Sequence, residues 1–80
     1  MKNQITDTRL IKEFKETIIP GIFKQSFNSL IKEHGFNGMI KVSGIFDSYV
    51  NGLEAKGLIT SKQSQSLDLK WVKEIEKLTF

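Results

Sequence analysis

Cysteine is absent from the 80 residues. Its absence excludes disulfides, thiolate nucleophiles, Cys-ligated zinc and iron–sulfur clusters, and the fold needs no oxidising compartment. Histidine occurs once, at His34. With no His-x3-His or Glu-x-x-His spacing and Glu33 expected to point elsewhere, it offers no metal-ligand set. Near a helix C-terminus it favours the helix dipole instead. No apolar run approaches the ~20 residues that cross a bilayer. Met1-Lys2-Asn3-Gln4 runs into charged residues without the apolar core of a signal peptide. We therefore expect a soluble, cytoplasmic protein with no membrane association and no cofactor.

Catalytic patterns are also lacking. No serine sits in Gly-x-Ser-x-Gly, and no Gly-x4-Gly-Lys-Ser/Thr loop is present to cradle a phosphate. Asp47 and Glu54 stand two helical turns apart on one face, but paired carboxylates do acid–base work in a dry, concave site. A helical chain of 80 residues rarely forms one. We expect a protein that is not an enzyme.

What remains is enough for one domain over residues 1–80. Hydrophobic residues make up 39% of the chain and include six Phe, so a real core is within reach. A chain of this size buries roughly 60% of the surface its unfolded form exposes, and a margin that thin invites a homodimer. The net charge of +3 and pI near 9.3 are compatible with nucleic acid or an acidic protein surface.

Hydrophobic periodicity organises the chain into helices. Thr6 or Asp7 caps the first, whose apolar face is Leu10, Ile11, Phe14 and Ile18. Pro20 cannot donate to the Glu16 carbonyl and its ring crowds that turn, so a kink or break is expected there. Pro20 then suits the start of a second helix running to His34, with Ile22, Phe23, Phe27, Leu30 and Ile31 apolar. Gly35 ends it in a left-handed cap. Asn37-Gly38 signals a turn, and Met39 to Val42 reads as an extended, packed linker. Ser43 caps a third helix carrying Ile45, Phe46, Tyr49, Val50 and Leu53, in which Gly52 suggests close approach of another backbone. Gly57 closes it, with Leu58 folding back on Leu53. Thr60 and Gln63 form a capping box that opens a fourth helix over about Ser61 to Lys77, with Leu67, Trp71, Ile75 and Leu78 on one stripe. The expected fold is all-α: a bundle of three to four helices ending in an antiparallel helical hairpin. Its expected core is Leu10, Phe14, Ile18, Phe23, Phe27, Leu30, Phe46, Tyr49, Leu53, Leu67, Trp71 and Ile75.

Two surfaces are candidates for binding. Phe36, Met39, Ile40 and Phe80 lie outside the apolar stripes, and we expect them to carry contact with another protein. Lys62, Lys70, Lys73 and Lys77 share one side of the fourth helix, opposite Trp71 and Ile75, with Glu74 expected to pair with Lys70. With Gln63 and Gln65 they form an alternative, nucleic-acid-binding surface.

Two resemblances bear on function. Val42-Ser43 followed by a helix closing Leu53-Glu54-Ala55-Lys56-Gly57-Leu58-Ile59-Thr60 resembles the end of a winged-helix recognition helix, which implies a small DNA-binding regulator. A wing requires two strands after Ile59, and here a capping box and helical stripe follow. Phe46-x2-Tyr49-x3-Leu53-x3-Gly57-Leu58-Ile59-Thr60-x2-Gln63 is similar to the C-terminal half of small helical proteins encoded by phages and other mobile elements. That likeness implies a protein-binding regulator or inhibitor that occupies a partner's surface.

Overall fold

The computed structural model describes residues 6–78, and every regular element among them is helical. Thr6 opens the first helix, its Oγ1 accepting the Arg9 amide at 3.2 Å. Helix α1 (Asp7–Glu13) passes into a π-helical segment (Phe14–Ile18) and then α2 (Ile19–Phe23), with right-handed helical backbone at both junctions. Of the kink or break expected at Pro20, the break does not occur. The Ile19 amide bonds to the Phe14 carbonyl five residues back, and Pro20 becomes the second residue of α2. A widened turn relieves the clash between a proline ring and the carbonyl one turn back.

The chain turns at Lys24 instead, which takes a left-handed conformation (φ 62°) while its amide bonds the Pro20 carbonyl at 2.9 Å. Ser26 then caps α3 (Phe27–His34), accepting the Ser29 amide at 3.1 Å. The single helix expected from Pro20 to His34 is therefore two pieces. This re-aiming lets Ile19 and Phe27 both enter the core.

A second correction concerns residues 36–42. Gly35 alone, at φ 60° and ψ −132°, joins α3 to α4 (Phe36–Ala55). There is no linker at Met39 to Val42. Gly38, Val42, Phe46 and Val50 recur every fourth residue and are all buried in α4, so packing overrides the Asn37-Gly38 turn signal. Ser43 is not a cap: its hydroxyl accepts the Trp71 indole N–H at 3.0 Å and donates to Met39 Sδ at 3.6 Å. The close approach assigned to Gly52 belongs to Gly38. A methyl at Gly38 would stand 3.0 Å from the His34 Cβ and 3.2 Å from the Leu30 carbonyl oxygen, whereas Gly52 faces open space.

Helix α4 ends as expected, with the Leu58 amide bonded to the Leu53 carbonyl and the Gly57 amide to that of Glu54, the paired bonds of a Schellman motif. Leu58 itself stays exposed and Ile59 is buried in its place. Thr60 caps α5 (Ser61–Glu76), accepting the Gln63 amide at 3.0 Å.

The contacts Ser43–Trp71 and Glu54–Ser61 make α4 and α5 antiparallel. Asp7 against Ser66 and Lys15 against Glu74 make the N-terminal helix run parallel to α5. At the centre Phe14, Phe46 and Trp71 meet: Phe46 stacks on Trp71 at 4.4 Å, and Phe14 meets both rings edge-on at 5.0 and 5.4 Å. Of the expected core, Leu10, Phe14, Phe27, Leu30, Phe46, Leu67 and Trp71 are buried, and Ile18, Phe23, Tyr49, Leu53 and Ile75 pack at its edge. Ile11, Ile19, Ile31, Val42, Val50 and Ile59 complete it.

Gly38→Ala should lower stability by about 1 kcal/mol or more, because overpacking outweighs helix propensity. Gly52→Ala should raise stability by about 0.5–1 kcal/mol. Thermal unfolding followed by circular dichroism checks both, and a stabilised Gly38→Ala would refute the close contact. Ser43→Ala should cost about 1–2 kcal/mol by leaving the Trp71 N–H unsatisfied, with a shift in tryptophan emission as the accompanying signal.

Candidate interaction surfaces

Helix α5 is held to the N-terminal helix by two polar clasps. Asp7, in the first turn of α1, accepts three groups from α5: the Gln63 side-chain amide at 3.0 Å, the Ser66 hydroxyl at 2.6 Å and the Lys70 ammonium at 3.2 Å. Two turns on, Lys15 reaches Glu74 at 3.1 Å and lies over the Phe27 ring, 5.1 Å from its centroid. Lys77 also pairs with Glu74, at 3.2 Å. Lys70 therefore pairs with Asp7, not with Glu74 as the sequence spacing suggested.

A groove of about 360 Å³ runs between these helices over Thr8 and Ile11. Lys12, Lys15 and Glu16 form one wall, and Lys70, Lys73, Glu74 and Lys77 the other. The side chains of Lys12 and Lys73 make no hydrogen bond or ion pair with any described residue.

The clasps shape the local titration. Burial pulls the Asp7 pKa upward, but the bonds from Ser66, Gln63 and Lys70 outweigh it and hold the carboxyl below its ordinary range. The Lys15 bond, opposed by burial and aided by Lys77, holds Glu74 low as well. On the α4/α5 side burial and the charge of Asp47 push Asp68 up. Burial and then Glu13 raise the Tyr49 phenol.

Most of the alternative nucleic-acid residues lie along one side of α5: Lys62, Gln63 and Lys70 border a shallow hollow next to the groove. Lys70, Lys73 and Lys77 line the groove, Gln63 is engaged by Asp7, and Lys62 and Gln65 are exposed on the first turns of α5. Lys12 and Lys15, which join those lysines across the groove, were not singled out from the sequence; they lie some 60 residues away along the chain, and no local pattern links them. His34 is exposed, with Nε2 3.9 Å from Glu33 Oε1, so Glu33 leans toward it after all. Asp47 faces Asp68 rather than Glu54, which accepts the Ser61 hydroxyl.

Of the expected protein-contact residues, Phe36 and Ile40 are 58% and 52% exposed. Met39 is half-buried against the core, and its sulfur accepts the Ser43 hydroxyl. Phe80 lies outside the described residues. Phe36 and Ile40 stand one turn apart on α4, on the side that carries Ser43 and Asp47 toward α5. The antiparallel register sets Val72 of α5, 51% exposed and one turn beyond Asp68, level with Ser43 and one turn along the seam from Ile40. Leu69, 69% exposed, flanks it. Phe36, Ile40 and Val72 thus follow one another along the outer α4/α5 seam, an apolar strip with Asp47 and Asp68 at one end.

No helix among the described residues is long and apolar enough to cross a membrane. Comparisons of the chain with protein-family models, with curated proteins and with solved structures find no match.

Asp7→Ala should destabilise the protein by about 1–2 kcal/mol at neutral pH, since three donors lose their acceptor. The Asp7 carboxyl titrates lower in the folded than in the unfolded chain. Its contribution is therefore complete above the unfolded value near 3.8 and is lost as pH falls through the folded one. Denaturant unfolding from neutral pH to about pH 2 should show wild type and variant converging below about pH 4. A constant difference would contradict the clasp.

Proposed function

We propose that this protein is a non-enzymatic binding module that acts by occupying the surface of another protein, in the manner of small phage-type regulators and inhibitors. The observation that supports this reading is the apolar strip of Phe36, Ile40, Val72 and Leu69. Each side chain is more than half exposed although the domain has few large apolar residues to spare. Large apolar side chains gathered on one seam, next to charged residues, fit a contact face better than a solvated one. The Asp47/Asp68 pair at its border suits a partner whose apolar face is flanked by lysine or arginine. A second copy of the chain, also bearing the acid pair, is less well matched in charge.

A photo-crosslinking residue at position 40 or 72, expressed in the source cell, should capture a discrete protein, while one at exposed Lys32 should not. Introducing Val72→Asp alongside the probe at position 40 should reduce capture at least roughly tenfold, the effect of losing an anchor of about 1.4 kcal/mol. Its unfolding midpoint should stay near that of the wild type, because the side chain is exposed. Capture of a second copy alone, with a dimer by light scattering, would make the strip a self-association surface and overturn the reading. Absence of any capture would overturn it as well.

A further inference from the structure

We propose that the lysine groove between α1 and α5 is a second binding site, one that takes an acidic segment of a polypeptide. This goes beyond the binding role of the apolar strip and uses a different face of α5. The lining of the groove holds five lysines and two glutamates, an excess of three positive charges, and the net charge of the whole chain is +3. Asp7, just outside the lining, pairs with Lys70, and the positive charge that remains is still concentrated in one concave place. Lys12 on one wall and Lys73 on the other have no partner among the described residues. Neither takes part in the clasps that hold the groove together, so both are available to a ligand without loss of a structural bond.

The chemistry of the groove selects among anions. The sole arginine of the chain, Arg9, is not part of the lining, so no bidentate guanidinium fork is present to grip phosphate. No aromatic ring lines it either, whereas single-stranded nucleic acid is held by stacking on exposed rings; Phe14, Phe27, Phe46 and Trp71 are buried in the core. A peptide can place its carboxylates selectively, beside Lys12 and Lys73, and lay methylene groups on Ile11 and the lysine stems between them. Lys70 and Lys77 lie seven residues apart on α5, roughly 10 Å along the axis. That span suits three or four acidic residues.

Fluorescence anisotropy with the full chain tests this, using labelled hexaglutamate, a labelled single strand and a labelled duplex DNA, each at about 50 mM and about 150 mM salt. We expect hexaglutamate to bind more tightly than either nucleic acid. Lys12→Gln/Lys73→Gln should weaken it roughly tenfold, while Lys32→Gln/Lys41→Gln, with the same loss of charge on α3 and α4, should change it by less than about twofold. Equal losses in the two variants would mean diffuse attraction by net charge and would overturn the proposal. Tighter binding of either DNA, lost in the Lys12/Lys73 variant, would reassign the groove to nucleic acid. No binding of hexaglutamate even at the lower salt would refute it outright. None of these outcomes depends on the apolar strip, whose test is the crosslinking at positions 40 and 72.

Discussion

Phe14, Phe46 and Trp71 come from three different helical segments and meet in one cluster, with ring centroids 4.4 to 5.4 Å apart. The rest of the tertiary structure is arranged around that contact. Large aromatic side chains supply much of a small core, and their edge-on and stacked geometries add to simple burial. The indole N–H must also be satisfied, and Ser43 meets that need from α4. One hydrogen bond therefore pins the α4/α5 register at the same point where the rings pack. Shifting either helix by one residue would separate the rings and strand the N–H together.

Around this centre the polar clasps have two consequences. Asp7 and Glu74 hold α5 against the N-terminal helix, and in doing so they engage Lys70, Lys15 and Lys77. Lys15 and Lys70 thus hold the walls in place, Lys77 pairs with Glu74 within its own wall, and Lys12 and Lys73 remain outside the clasps. Helix α5 accordingly has three differentiated sides: one packs on the rings, one lines the lysine groove, and one borders the apolar strip beside α4. A single amphipathic helix can serve all three because its stripe of buried residues occupies only part of its circumference.

The backbone absorbs the remaining tensions locally. Pro20 is accommodated by a π turn upstream rather than by a break. Lys24 accepts a left-handed conformation, unfavourable for a residue with a side chain by roughly 1–2 kcal/mol, because Ile19 and Phe27 must both reach the core. Gly35 turns the chain between two helices in one residue, and Gly38 then lets the start of α4 lie against the Leu30 carbonyl. These two glycines act together: one permits the sharp turn and the other the close packing that the turn imposes.

The sequence by itself determined the helical class, the C-terminal hairpin and most of the core. Those follow from local chemistry: the Thr60 cap, the Gly57 terminator and apolar residues at a helical period each act within a turn or two of chain. It also marked Phe36 and Ile40 as apolar residues outside the core and Lys70, Lys73 and Lys77 as one side of a helix. Tertiary structure decided what local chemistry leaves balanced. Whether Pro20 breaks a helix, and whether Asn37-Gly38 is a turn or part of α4, depends on burying Ile19, Phe27 and Val42 at once, which no short segment can express. The same holds for the groove: Lys12 and Lys15 face Lys70 and Lys73 only because Asp7 and Glu74 bring together helices nearly sixty residues apart.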